Sequence, residues 1–233
     1  MQIVVTCEHA TNAVPKELGD LGLDPEVLAS HRGWDPGALP IAKVLAKALR
    51  APLFAGEWSR LVVDLNRSPD HAHVVRRSVD GMVIAGNRLS RAQHAERVAL
   101  YWAPYRQAAE AKVRELVARG PVLHLSVHSF TGELHGVVRG NHIGLLHDPD
   151  RPREVAFCEA LKQPLVAAGL VVRRNFPYFG NTNGFTHWLR RRLPAARYLG
   201  IEVECNQKLS CTQAGQRRLA AALVAALCEV SAR

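Results

Sequence analysis

Two apolar, β-branched segments of this sequence each lead into a histidine. Gln2 to Cys7 is followed by Glu8 and His9, and VLHLSV is followed by His128. A third segment of the same kind, YLGIEVECN, carries Glu202 and Glu204. A ligating or charged side chain at a buried strand end needs a partner, because burying it alone costs several kcal/mol. Two histidines and a carboxylate meeting at strand ends are typical of a zinc site with one open position.

The third ligand of such a site is less clearly marked. Asp35 lies in the loop GWDPG, where glycine and proline fix the backbone, and its alternative role is to cap a turn or helix. Glu8, beside His9, is the competing carboxylate. Asn12 follows His9 by three residues, but asparagine is a poor zinc ligand, so we expect it to bind substrate or to cap a turn. Either histidine taken singly would more often be a hydrogen-bonded structural residue; the two together favour a metal.

The segment SRLVVDLNR combines an apolar core with an arginine near each end. Its alternation predicts a short strand over residues 61–65, and the alternative is an exposed edge strand with solvated ends. A guanidinium group pairs in a bidentate manner with a carboxylate. Arg60, Asn66 and Arg67 are therefore candidates to bind an acidic substrate, with Asp64 orienting one of the arginines.

Glu202 and Glu204 project from the same face of one predicted strand, because side chains alternate with a period of two. Two carboxylates on one face repel unless a cation or a proton lies between them. A water molecule activated by a metal needs a carboxylate to accept its proton, and we prefer Glu204 as that base. The loop from residue 176 to 187, which includes Asn183, has the aromatic, glycine and amide side chains of a substrate-covering loop, although it is equally consistent with a simple connection.

The elements that must position these residues alternate between strands and helices. This order predicts an α/β fold with a mostly parallel sheet covered by helices on both faces, in which functional residues gather at the carboxyl ends of the strands. Residue 104 is a proline, which should kink or interrupt the longest helix. The predicted strands cover residues 2–7, 52–55, 61–65, 122–127, 142–146, 171–174 and 198–205, and the predicted helices begin at 24 and cover about 38–49, 91–119, 153–168, 186–192 and 214–230.

Composition limits the class of protein. No linker or repeat divides the 233 residues, so we expect one domain over 1–233. The hydrophobic fraction of 48% is ordinary, and no apolar tract approaches the ~20 residues of a membrane span. Five scattered cysteines without a CxxC pair, and an N-terminus without an export signal, favour the cytoplasm. The net charge of +9 suits an anionic substrate, and nucleic acid is not expected because no binding motif accompanies it.

Taken in order, CEHATNAVP, GWDPGA, SRLVVDLNRS, SVHSF, GNTNGFT and IEVECNQ resemble the N-formylglutamate amidohydrolase family from about residue 3 to 209. The resemblance implies a three-layer α/β/α sandwich with a central mixed sheet, similar to zinc exopeptidases. It also implies a metal-dependent hydrolase that cleaves an N-formyl or other N-acyl amino acid, in the type case N-formyl-L-glutamate. His9 and His128 match the family's metal-binding histidines, Glu204 its late-strand glutamate, and Arg60, Asn66 and Arg67 its substrate-binding element.

The chain departs from this family at two places, which marks it as a divergent branch. A Pro-His-Ser-Gly type of turn is replaced by Cys7-Glu8-His9-Ala10, and the acidic residue expected two positions before His128 is Ser126. Glu8 is the candidate to replace that missing carboxylate. Zn2+ is the expected ion, with another divalent metal as the alternative. The competing functions are a zinc carboxypeptidase or deacylase for another N-acyl amino acid, and a non-catalytic protein that binds anions or nucleic acid.

Overall fold

A six-stranded sheet forms the centre of the molecule in the computed structural model, which describes residues 1–231. Its order is β2-β1-β5-β10-β8-β9, and all neighbouring pairs are parallel except β10 and β8. The predicted mixed, mostly parallel sheet is therefore confirmed. The strands are β1 (Gln2–Cys7), β2 (Leu53–Ala55), β5 (Val122–Phe130), β8 (Ile143–Leu146), β9 (Val172–Arg174) and β10 (Tyr198–Asn206), with two small hairpins, β3 (Ser78–Val79) with β4 (Met82–Val83) and β6 (Glu133–Leu134) with β7 (Val137–Val138).

Helices cover both faces of this sheet. One face packs against α2, α5 and α8, and the other packs against α4 and α6. Among residues 1–231, no helix has both the length and the hydropathy needed to cross a lipid bilayer. The predicted domain extends to residue 233, but residues 232–233 lie outside the described part of the chain. The helices are α1 (Pro25–Ala29), α2 (Ala38–Ala48), α3 (Arg91–Arg97), α4 (Ala103–Arg119), α5 (Pro152–Ala167), α6 (Phe185–Arg190), α7 (Gln207–Ser210) and α8 (Gln213–Ser231).

The alternation of side chains along β5 and β10 separates an apolar face from a polar one. Leu125 and Val127 of β5 and Val203 of β10 point into the core formed with α2, α5 and α8. His128 and Glu204 occupy intervening positions of the same strands and therefore project from the opposite face. Thr6, Glu8, His124, Ser126 and Glu202 are buried at intervening positions of the same kind. The buried side chains of Thr6, Glu8, His124, Ser126, His128, Glu202 and Glu204 are thus concentrated on one side of the sheet.

The predicted long helix over residues 91–119 is interrupted, as the proline indicated. Ser90 and Gln93 form a reciprocal capping box at the start of α3. A π-helical segment, Val98–Trp102, then separates α3 from α4, and Pro104 lies in the first turn of α4.

The predicted strand over residues 61–65 is wrong. The segment instead forms consecutive turns, with the Val62 N–H donating to Ser59 C=O (2.9 Å) and the Arg67 N–H donating to Asp64 C=O (3.1 Å). It is completely buried rather than an exposed edge. Leu61 and Val62 pack into one apolar cluster, and Val63 and Leu65 pack into another, so the first and second halves of the segment enter two separate cores.

Candidate active site

His9, Asp35 and His128 form a buried cluster of possible metal ligands at the carboxyl ends of β1 and β5. His128 Nδ1 lies 2.8 Å from Asp35 Oδ2, and His9 Nδ1 lies 3.4 Å from the same oxygen. One ligand atom from each of the three residues lies within 4.8 Å of the other two. Two imidazole nitrogens and a carboxylate oxygen are the donor set of many catalytic zinc sites.

The loop that carries Asp35 is fixed by close backbone contacts. The Asp35 N–H donates to His9 C=O (2.9 Å), and Pro36 C=O accepts from the Ser210 hydroxyl (2.9 Å). Gly37 has φ of 80°, and a Cβ atom there would lie 1.8 Å from Ser210 O. Only glycine fits this position, so the GWDPG sequence sets the place of the carboxylate.

Glu8 lies on the opposite side of the His128 ring. His128 Nε2 is 3.0 Å from Glu8 Oε2 and 2.9 Å from Ser126 Oγ, and the Ser126 hydroxyl donates to Glu8 (2.7 Å). The structure therefore places Glu8 where the sequence lacked an acidic residue at position 126. Glu8 is not a member of the cluster with His9 and Asp35, so the geometry gives it the task of orienting His128.

Asp64 joins the histidine cluster to the arginines. Its Oδ1 lies 2.7 Å from His9 Nε2, and its Oδ2 accepts from Arg60 at 3.0 Å. Arg60 is also 3.6 Å from Asp35 Oδ1. The expected contact between Asp64 and an arginine is present. In addition, Asp64 contacts Nε2 of His9, the ring nitrogen that points away from Asp35, and Glu8 contacts Nε2 of His128 in the same way.

Electrostatics make His128 an imidazolium ion between two carboxylates. Burial lowers the pKa of His128, but hydrogen bonds and the charges of Asp35 and Glu8 raise it well above its ordinary value. Burial raises the pKa of Asp35, yet the charge of His9 and the hydrogen bond from His128 bring it far below its ordinary value. The pKa of Glu8 is likewise lowered, because the hydrogen bond and charge of His128 outweigh its burial. The cluster thus attracts positive charge strongly.

Glu204 and Glu202 differ in their surroundings. Burial, with the charges of Asp35 and Glu202 adding to it, raises the pKa of Glu204 from 4.5 to about 8, and its Oε2 is buried without a hydrogen-bond partner. Glu202 Oε1 instead accepts a hydrogen bond from the Thr186 hydroxyl at 2.6 Å. Of the two carboxylates, Glu204 is the one with a buried oxygen that lacks a hydrogen-bond partner.

A cavity of about 550 Å3 opens onto the cluster. Arg60, Arg67 and Arg76 line one part of it. Arg67 is held by the Asn183 carbonyl oxygen, and Asn66 Oδ1 accepts the Phe185 N–H at 2.7 Å. Nine of the eleven predicted site residues line this cavity, namely His9, Asp35, Arg60, Asn66, Arg67, His128, Asn183, Glu202 and Glu204.

The family of the protein follows from comparison with known proteins. A model of the N-formylglutamate amidohydrolase family matches residues 1–211. The chain belongs to this family. A crystal structure of an Agrobacterium tumefaciens gene product has a TM-score of 0.88 and 31% identity, covering 99% of this chain and 90% of that one. N-formylglutamate amidohydrolase from Ralstonia eutropha has the same fold, with a TM-score of 0.77, 20% identity and coverage of 99% and 94%. No protein of curated function matches significantly.

As a member of the N-formylglutamate amidohydrolase family, the protein is an amidohydrolase, and the expected resemblance is confirmed. Asn12, however, is half-buried and does not line the cavity of this amidohydrolase. Thr11 Oγ1 accepts the Ala13 N–H (3.1 Å), and Ala13 C=O accepts the Ser59 N–H (2.7 Å). These contacts fix the chain around Asn12, which the structure places outside the cavity lining.

Sequence reasoning missed two arginines of this amidohydrolase. Arg76 lines the cavity and lies 3.8 Å from Asp64 Oδ2. Arg106 is buried, stacks 3.9 Å from the Phe185 ring, and donates to the carbonyl oxygens of Leu65 (2.8 Å) and Arg67 (3.1 Å). The sequence pattern could have indicated Arg106. Its helical spacing from Ala109, Val113 and Val117 places it on the same buried face of α4.

Proposed function

We propose that this amidohydrolase is metal-dependent and cleaves the amide bond of an N-acyl amino acid. N-formyl-L-glutamate, which would yield formate and glutamate, is the leading candidate. The observation that carries the proposal is the juxtaposition of the His9, Asp35 and His128 cluster with the unpartnered carboxyl oxygen of Glu204 in a cavity lined by arginines.

The cluster fits a divalent metal ion, with zinc as the first choice. The ligand atoms are two nitrogens and one oxygen, namely His9 Nδ1, His128 Nδ1 and an Asp35 oxygen. A metal cation bound there would take the place of the proton that His128 shares with Asp35. When bound there, the ion supplies Lewis acidity, which polarises a carbonyl group and acidifies water. Glu8 and Asp64 hold the outer nitrogens of the two histidines, and so fix the direction of both Nδ1 atoms.

Glu204 is the proposed general base and acid. Its carboxylate accepts a proton from the attacking water, whose oxygen bonds to the acyl carbon, and returns a proton to the amide nitrogen as the carbon–nitrogen bond breaks. In the metal-free protein, burial raises the pKa of Glu204 to about 8, so its surroundings help it to hold a proton. Glu202, engaged by Thr186, does not take part in proton transfer; its negative charge contributes to the raised pKa of Glu204.

The arginines are proposed to hold the charged groups of the substrate. Arg67 and Arg76 each have a buried Nε without a hydrogen-bond partner, so donor capacity remains for a substrate carboxylate. Arg60 lies 3.6 Å from Asp35 and places positive charge beside the cluster, where the carbonyl oxygen becomes negative during attack. Asn66 and Asn183 position this segment through their contacts with Phe185 and Ser68.

Metal content and formate release test the proposal. Purified protein should contain about one zinc ion per chain and release formate from N-formyl-L-glutamate, and His128→Ala should lose both. His73→Ala is the matched control, because His73 is exposed and does not line the cavity. Full zinc content and full turnover in His128→Ala would refute the assignment.

A further inference from the structure

The cavity has an apolar wall as well as a set of arginines. Pro177, Tyr178 and Phe179 form this wall together with Phe130 and Leu134. The arginines lie in the segment that follows β2, at one edge of the sheet. The apolar wall lies toward β10 and β8. A Cβ atom on Gly144 of β8, for example, would lie 2.2 Å from the carbonyl oxygen of Phe176, which directly precedes the wall, and 3.2 Å from Glu204 Cβ. The metal-ligand cluster, on β1 and β5, thus lies between a cationic and an apolar region.

The volume of the cavity exceeds what the simplest substrate needs. N-formylglutamate has about 12 non-hydrogen atoms, which fill at most roughly 360 Å3 even at the ~30 Å3 that a water molecule occupies in the liquid. The cavity measures about 550 Å3, within the range of pockets that bind larger organic ligands. Room therefore remains after the amino acid and a formyl group are placed.

Hydrogen bonds anchor the backbone beside the wall, although its aromatic side chains are exposed. Arg190 donates to the Gly180 carbonyl, and the Gly180 N–H donates to Asn175 Oδ1 at 3.2 Å. Beyond these anchors, Phe179 is 61% and Tyr178 42% exposed. Two large aromatic side chains held open to water at a cavity mouth provide a preorganised surface for an apolar ligand group.

We propose that the site also accepts, and binds more tightly than N-formylglutamate, substrates whose acyl group is apolar and larger than formyl, with an aromatic or branched aliphatic group that packs against Tyr178 and Phe179. This inference rests on the proposed function and specifies its substrate class. The amino acid carboxylate binds the arginines, and the amide carbon lies at the metal-ligand cluster. Water adds to that carbon, the carbon–nitrogen bond breaks, and the products are the free carboxylic acid and the amino acid.

The decisive measurement compares acyl groups on one amino acid. The formyl, acetyl, 3-methylbutanoyl and benzoyl derivatives of glutamate are titrated by calorimetry into metal-loaded Glu204→Gln, which should bind without turnover. Because one methylene in an apolar pocket changes affinity by about 10-fold or more, we expect Kd for the benzoyl derivative to be at least about 10-fold below that for the formyl derivative. If the 3-methylbutanoyl and benzoyl derivatives bind no more tightly than the formyl derivative, the inference is overturned.

A second variant locates the effect. In the Glu204→Gln background, Phe179→Ala should raise Kd for the benzoyl derivative about 10-fold more than Kd for the formyl derivative. Leu100→Ala, which removes a side chain of similar exposure (58%) outside the cavity, should leave this ratio unchanged. If the metal-loaded unaltered protein hydrolyses none of the four amides, the proposed function fails. If it hydrolyses them with a preference for formyl, only the inference fails.

Discussion

Replacing Glu204 by glutamine should make the metal-free protein more stable at alkaline pH. Burial raises the pKa of this carboxyl group from 4.5 to about 8. Below about pH 4.5 the group is protonated in both the folded and the unfolded chain. Between about pH 4.5 and 8 only the folded chain keeps the proton, so the free energy of unfolding falls as pH rises. The shift of about 3.5 pKa units corresponds to about 5 kcal/mol, at about 1.36 kcal/mol per unit.

Urea denaturation between pH 4.5 and 9 measures this effect. The free energy of unfolding of Glu204→Gln minus that of the unaltered protein should grow by about 5 kcal/mol up to pH 8 and then stay constant. Titrating groups distant from Glu204 are common to both proteins and cancel. Glu133→Gln, which removes an exposed glutamate of β6, is the control. A difference independent of pH would show that Glu204 is already ionised in the metal-free fold, and would refute the reasoning.

Three further predictions concern the metal and the substrate. Asp64→Asn should lower zinc affinity about 10- to 100-fold, because Asp64 orients His9. Competition with a coloured chelator measures the affinity, and an unchanged affinity would contradict that role. Zinc binding near pH 7 should release a proton, because the pKa of His128 lies well above its ordinary value. Equal calorimetric heats of zinc binding in buffers of different ionisation enthalpy would exclude this proton release. Arg67→Lys should raise KM for an N-acylglutamate about 10-fold with little change in kcat. An unchanged KM in steady-state kinetics would argue against binding of the substrate carboxylate by Arg67.

The alternation of apolar residues predicted most of the sheet correctly. It failed for residues 61–65, because an apolar run reports only that its side chains are buried. Here Leu61 and Val62 enter one apolar cluster and Val63 and Leu65 enter another, and consecutive turns rather than a strand bury them. The antiparallel direction of β8 could not be predicted from the local sequence either. It depends on the path that the chain takes from β5 through the small hairpin β6–β7 to β8.

The cavity-lining residues could be predicted better than the contacts among them. His9, His128 and Glu204 follow or end apolar strands, so their meeting at one sheet edge follows from topology. The contact of Asp64 with His9 spans 55 residues, and it depends on turns that the sequence had suggested as a strand. Arg106 supports the substrate-binding segment from a distant helix, and only the packed structure shows which carbonyl groups it reaches.

The carboxylate of Glu8 and the hydroxyl of Ser126 act on His128 as a pair. The resemblance noted in the sequence led us to expect an acidic residue at position 126, whereas this chain carries the carboxylate at Glu8, 3.0 Å from His128 Nε2. Adding a carboxylate at position 126 would place two buried carboxylates at that nitrogen, and removing the one at position 8 would leave none. Either single change would make the fold less stable by several kcal/mol, through like-charge repulsion or an unpaired buried imidazole. Exchanging the two residues together should therefore cost less stability than changing either one alone.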